Sequence, residues 1–344
     1  MSVDVLVTGG SGYFGSLMLR KLHEKGESCR NFDIIPPQER LVDEEFQQGD
    51  IRNPEDIVHA CRGIRVVYHN VAQVPLAKDK SLFRSVNIDG TRNLLDAALK
   101  SGVQKVIYTS SSAVYGVPDS NPVNEHSPKF PGDPYGQAKL DGEKLCLEYR
   151  EKGLDVSIIR PRTIMGHGRL GIFQILFEWI FNGHNVPVLG KGDNQYQFVH
   201  AYDLADACLL AAQRPGAADY NCGTDRFGTM REVLEGLCGE VGTGSRVKSV
   251  PMWPATMGMK ITSMVGLSPL SGYHSLMYGR SLYFDISKIQ EELGWQPKYS
   301  NDEMFMESYA WYLKHRDHIL GATGASHHRS SVNEGILSLV RKFL

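Results

Sequence analysis

The chain has 344 residues, 42% hydrophobic and 22% charged, which allows a sizeable core and either one large α/β domain with a lobe or two domains. A formal net charge of −2 gives no general pull toward nucleic acid or an anionic membrane. Six scattered cysteines (29, 61, 146, 208, 222 and 238) form no C-x-x-C pair, which argues against a disulfide scaffold or zinc site and suits reduced thiols in the cytoplasm. No stretch reads as a signal peptide and no apolar run reaches membrane-spanning length, so no metal, nucleic-acid partner or integral membrane segment is expected.

Val3, Val5, Leu6 and Val7 make a short β-branched run that reads as a buried parallel strand. The segment TGGSGYFG then turns the chain, with Ser11 placed to cap a helix from Gly12 to about Lys25. Gly9, Gly12 and Gly15 let the turn's amides, with those of Tyr13 and Phe14, approach a pyrophosphate at the helix N-terminus. A second strand, Cys29–Asp33, ends in an acid 24 residues after Gly9. An acid there accepts the ribose hydroxyls of an adenosine and repels a 2′-phosphate, favouring NAD over NADP; nearby Arg40 keeps that choice open.

The alternation continues. Strands are expected over Phe46–Gln48, Arg65–His69 and Gln104–Thr109, with helices from Asn53 or Pro54 toward Arg62 and from Ser81 to Lys100. Ser110, Ser111 and Ser112 stand at the C-terminal end of the fifth strand, where open parallel sheets bind ligands. A helix opens at Asp133-Pro134 and runs to about Glu151, carrying Tyr135 and Lys139 four residues apart on one face. An ammonium near a phenol favours the phenolate, which makes Tyr135 a usable acid/base, with a serine hydroxyl holding the substrate oxygen beside it.

Taken in order, TGGSGYFG, FDI, GDIR, NIDGT, YTSSSAVYG, YGQAK, FVHAYDLA and FDISKIQEELGW resemble the extended short-chain dehydrogenase/reductases of the nucleotide-sugar epimerase/dehydratase kind, over about residues 3–315. The resemblance implies a Rossmann-type doubly wound parallel sheet with a smaller C-terminal substrate lobe. It implies Ser111 as the catalytic hydroxyl, Tyr135 as acid/base and Lys139 as ribose anchor. Asp50 and Ile51 would border the adenine, Val71 and Ala72 the ribose and pyrophosphate, and Asn87 would support cofactor and active site. The expected division is an NAD-binding domain over 1–163, with 197–223 returning to it, a lobe over 164–196 and 224–320, and a linker with a short helix over 321–344. A homodimer is expected.

The chain also departs from that pattern. Ser112-Ala113 stand where the family's dehydratases carry the Asp-Glu pair that eliminates water. Thr163 occupies a position where epimerases often have Asn, and Tyr196 one where many relatives place a nucleotide-binding Arg. Ser112, Arg162, Arg169 and Tyr196 are the candidate substrate residues, since an Arg fork suits a diphosphate or a sugar carboxylate. In the lobe, Ile172–Asn182 reads as an apolar helix, Asp203–Ala212 as an amphipathic one, and His200 as a packed strand-end residue. Residues 251–283 are rich in Met, aromatic, Gly and Pro, fitting either an apolar wall over the substrate or lobe core and dimer packing. A redox-neutral 4-epimerase of a nucleotide sugar is favoured. A net dehydrogenase of the 3β-hydroxysteroid dehydrogenase type is the alternative, and an NAD-binding regulator a third.

Overall fold

The computed structural model describes residues 3–73, 82–166, 168–169, 173–252, 257, 277 and 279–321. The first half alternates β1 (Val5–Thr8), α1 (Tyr13–Glu24), β2 (Cys29–Asp33), β3 (Glu45–Gln48), α2 (Pro54–Ala60) and β4 (Val66–His69). A helix follows in three parts: α3 (Leu82–Arg84), a π-helical turn Ser85–Asp89, and α4 (Gly90–Lys100). Then come β5 (Lys105–Thr109), a 3₁₀ turn Ser112–Tyr115, α5 (Pro134–Glu151) and β6 (Val156–Pro161). The second half runs β7 (Thr163–Met165), α6 (Phe173–Phe181), β8 (Val186–Leu189), β9 (Gln195–Tyr196), β10 (Phe198–His200), α7 (Ala201–Gln213) and β11 (Asp219–Cys222). It ends with β12 (Gly228–Thr229), α8 (Met230–Val241), β13 (Val247–Val250), α9 (Ser287–Leu293) and α10 (Asn301–Gly321).

Seven strands form one parallel sheet in the order β3-β2-β1-β4-β5-β6-β11. Strand order reverses at β1, where Thr8 pairs with Phe32 on one side and His69 on the other. The crevice beyond that reversal is where doubly wound sheets take ligands. Apart from the edge strand β3, which is half-buried to exposed, the strands are largely buried on both faces because helices cover both. Met18 and Leu22 of α1, Leu204 of α7 and Ile289 of α9 pack on one side. Ile57 of α2, Leu94 of α4 and Leu145 of α5 pack on the other. A third core, around Trp179, Phe198, Leu234 and Tyr312, holds the lobe. Local signals account for the helix starts: Asn53 accepts from the Glu55 amide at 3.1 Å ahead of Pro54, and Asp133 from the Gly136 amide at 3.0 Å ahead of Pro134.

Four expectations change. Gly12, not Ser11, is the N-cap of α1, with no side-chain cap bond, because the Ser11 amide turns instead to the Asp33 carboxylate at 3.0 Å. Helix α7 is not simply amphipathic. The segment after α9 folds over it: the Trp295 indole donates to the Asp203 carbonyl at 2.9 Å, and the Lys298 amide to the Asp203 carboxylate at 3.0 Å. For the same reason residues 224–320 are not all lobe, since Leu282, Phe284, Ile286, Ile289 and Trp295 join the core of the main body. An extra short strand, β7, pairs with β10 at the lobe boundary. The readings of most of 251–283 and of 321–344 lie outside the described residues. Among the described residues, no helix is long and apolar enough to cross a membrane.

Candidate active site

The cofactor end is built on the turn after β1. Gly9 adopts φ +71°, and its amide donates to the Phe32 carbonyl at 2.8 Å. A Cβ on Gly15 would lie 2.0 Å from the Gly9 carbonyl oxygen, so the helix can follow the strand this closely only with glycine there. Tyr13 is buried and Phe14 packs on the main core, at the N-terminus of α1, the end of a helix that favours an anion. Asp33 projects at the same turn, its carboxylate accepting from the Ser11 and Ile35 amides. Burial raises its pKa, against the pull of those amides. Arg40 is exposed and donates Nε and Nη2 to the Glu44 carbonyl, at 3.2 and 3.1 Å.

The Val71 backbone lies directly against Gly9, across the sheet reversal. Asn87, in the π-helical turn, clamps this loop: it accepts from the Gln73 amide at 2.7 Å and donates to the Gln73 carbonyl at 3.2 Å. The loop carrying Val71 and Ala72 is thereby fixed. A π turn at such a position is a common mark of a functional site. Asp50 and Ile51 are placed differently from a simple adenine wall. The Asp50 carboxylate is held by Arg52, which keeps it below its usual range, and the Ile51 side chain is core.

A buried chain missed in the sequence ties the two ends together. Thr8 donates to His69 Nδ1 at 2.7 Å, His69 Nε2 donates to the Thr91 hydroxyl at 3.1 Å, and that hydroxyl donates to the Asn87 carbonyl at 2.8 Å. The Thr91 bond to a carbonyl fixes these directions. Burial, helped by the nearby Lys139 charge, pushes His69 down to about 3, so it stays neutral.

At the other end, Ser111 starts the 3₁₀ turn after β5, its hydroxyl accepting from the Ala113 amide at 3.1 Å. It also stands near enough to the Tyr135 phenol to lower its pKa. Lys139, one turn on, donates to the Thr109 carbonyl at 2.7 Å and lies over the Tyr108 ring. The three residues therefore converge. Burial raises the Tyr135 pKa, and the Ser111 hydroxyl and the charge of Arg169 oppose that rise. Lys139 itself is pushed down to about 8 by burial, against neighbouring Cys146 and Glu143.

The substrate candidates separate. The Arg169 guanidinium lies 5.5 Å from the Tyr13 ring centre, where the cofactor turn and the catalytic end meet. Ser112 is buried and accepts from Arg162 Nη1 at 2.8 Å. Tyr196 is packed under Arg162, its hydroxyl bonded to Thr163 at 2.9 Å. His200 caps α7 and stacks on Tyr299.

Residues 5–223 match the NAD dependent epimerase/dehydratase family. The chain belongs to that family. Family membership makes it an NAD-dependent enzyme of the extended short-chain dehydrogenase/reductase kind, and the seven-stranded sheet is the family's fold. It is 51% identical to the uncharacterized protein y4nG of Sinorhizobium fredii, over 97% of this chain and 85% of that one. It is 30% identical to a 3-beta-hydroxysteroid dehydrogenase of Mycolicibacterium neoaurum, over 90% of this chain and 91% of the other. A crystal structure of the UDP-glucose 4-epimerase of Thermotoga maritima, with UDP-glucose, superposes with a TM-score of 0.76 at 26% identity, covering 90% of this chain and 99% of that one.

Proposed function

We propose that the protein is a nucleotide-sugar 4-epimerase working through Ser111, Tyr135 and Lys139. The observation that carries this reading is the trio standing, among the described residues, without an elimination acid. Ser112 and Ala113 follow Ser111, and the nearby acids are committed: Asp133 to the Gly136 amide, Glu143 to Arg160 and Ser110. The glycine turn and the Asp33 carboxylate fit NAD. NAD, when bound, supplies reversible hydride acceptance at the carbon bearing the reacting hydroxyl.

In this reading Tyr135 as phenolate takes the C4 hydroxyl proton while Ser111 holds that oxygen, and the C4–H electron pair leaves with its hydrogen to give a 4-keto sugar. Tyr135 returns the proton when the hydrogen is delivered to the opposite face. Lys139 holds the ribose, and Asn87 holds the loop bearing Val71 and Ala72. The similarity to the Thermotoga enzyme supports this; the similarity to a hydroxysteroid dehydrogenase, with Tyr196 in place of a nucleotide-binding Arg, supports a second reading as a net dehydrogenase. A panel of nucleoside-diphosphate sugars followed by NMR for the C4 epimer, and by absorbance for NADH, separates them. Epimer without stoichiometric NADH is the expected result; NADH release from an alcohol with no epimer from any sugar selects the second.

Two predictions arise from these assignments. Asp33→Ala should erode the preference for NAD over NADP by roughly ten-fold, about 1.4 kcal/mol, in paired titrations. Equal affinity for both cofactors before mutation would defeat it. The second concerns pH. With Lys139 at about 8, its ammonium is complete below that pH and lost above it, so kcat/KM should fall as pH rises through about 8. A flat profile to well above that pH would remove Lys139's charge from the account.

A further inference from the structure

Arg162 is 1% exposed, yet its Nε and Nη2 have no hydrogen-bond partner. Only Nη1 is engaged, by the Ser112 hydroxyl at 2.8 Å. The guanidinium lies 4.7 Å from the ring centre of Tyr196 and 5.8 Å from that of Phe284. A guanidinium keeps its charge at any working pH, and a buried charge with unmatched donors calls for a counter-group.

Nε and Nη2 form the edge of the guanidinium that takes a carboxylate side-on through two parallel bonds. Four other arginines among the described residues use that edge in this way. Arg160 grips Glu143 at 2.7 and 2.9 Å, Arg30 grips Glu45 at 2.9 and 3.2 Å, Arg52 grips Asp50 at 3.0 and 2.5 Å, and Arg316 grips Glu178 at 2.8 and 2.6 Å. Among the described residues, no carboxylate meets the same edge of Arg162. The Tyr196 ring backs the guanidinium and its hydroxyl is held by Thr163, so neither supplies an anion.

Position indicates which substrate group would. Ser112 follows Ser111, which holds the C4 oxygen in the reading above. On a pyranose C4 is flanked by C3, which bears a hydroxyl, and C5, which bears carbon 6, whereas the diphosphate leaves from C1 across the ring. Of the two groups beside C4 only carbon 6 can carry a negative charge, so of the diphosphate and the sugar carboxylate that an Arg fork suits, a guanidinium bonded to Ser112 is placed for the carboxylate. We infer that Arg162 binds a C5 carboxylate, so that the substrate is a nucleoside-diphosphate hexuronic acid. This inference rests on the epimerase reading. The neutral hydroxymethyl of an ordinary hexose would leave the edge uncompensated.

The test titrates NAD-loaded protein calorimetrically with UDP-glucuronic acid and UDP-glucose, which differ only at carbon 6, and follows both by NMR for the C4 epimer. The unmutated protein should bind the uronate more tightly. Arg162→Met should lower the uronate-to-glucose affinity ratio by roughly 10–10²-fold, the size expected for buried charged hydrogen bonds. An unchanged ratio in a folded, NAD-binding variant overturns the inference. If that variant does not fold, the unmutated protein decides: affinity for UDP-glucose equal to or above that for the uronate overturns it. Tighter uronate binding with no epimer from either sugar supports Arg162 and sinks the epimerase reading. Epimer from UDP-glucose alone does the reverse, and binding of neither sinks both.

Discussion

Tyr135→Phe is expected to lower turnover by roughly 10²–10⁴-fold, the usual worth of a positioned acid/base group, while NAD binding survives. The substitution keeps the ring at the start of α5 and deletes only the phenol hydroxyl, whose pKa Ser111 lowers. The phenol needs help to ionise, because burial raises its pKa and only Ser111 and the Arg169 charge pull the other way. Lys139→Ala should damage both binding and turnover. Its ammonium is bonded to the Thr109 carbonyl at the strand end that leads into Ser110 and Ser111, so its loss also loosens that end. Steady-state kinetics with a cofactor titration on the same preparations separates the two variants. Near-full turnover in Tyr135→Phe would take the phenol out of the chemistry.

Much of this site was legible because it is written in local patterns. Gly9, Gly12 and Gly15 follow a β-branched run, and Asp33 ends the next strand. Tyr135 and Lys139 share a helix face behind an Asp-Pro start. Each depends on neighbours within a few residues, where spacing determines geometry. What was not legible depends on distant partners. Ser11 was read as a cap, but Asp33, 22 residues away, takes its amide. The fit of Trp295 over α7 comes from a bond to Asp203, 92 residues away. The Thr8–His69–Thr91 chain joins three elements that show no common signal in sequence. The bond from the Lys139 ammonium to the Thr109 carbonyl, and the charge of Arg169 that opposes the rise in the Tyr135 pKa, likewise come from residues distant in sequence. Arg162 was visible as an arginine, not as a buried one with a bare edge.

The largest stability effect should come from Glu143, a residue the sequence did not mark. Its side chain is 2% exposed, and it accepts two bonds from Arg160, which is 0% exposed, and one from the Ser110 hydroxyl at 2.6 Å. Arg160 in turn reaches Asp219 on the last strand of the sheet at 2.7 Å. The cluster thus joins α5, the end of β5, β6 and β11 directly behind Ser111. Glu143→Ala strands the Arg160 charge with only Asp219 and removes the acceptor for Ser110. Breaking a buried pair from one side costs about 3–5 kcal/mol, whereas replacing both partners by apolar residues of similar size is often neutral. The expected order in urea unfolding is therefore Glu143→Ala well below Glu143→Gln, with the double variant Glu143→Leu, Arg160→Met recovering much of the loss. Turnover should fall further than stability alone explains, because Ser110 anchors the backbone that aims Ser111. If Glu143→Ala unfolds at the same urea concentration as the unmutated protein, the cluster contributes little and the alignment of Ser111 must come from the 3₁₀ turn alone.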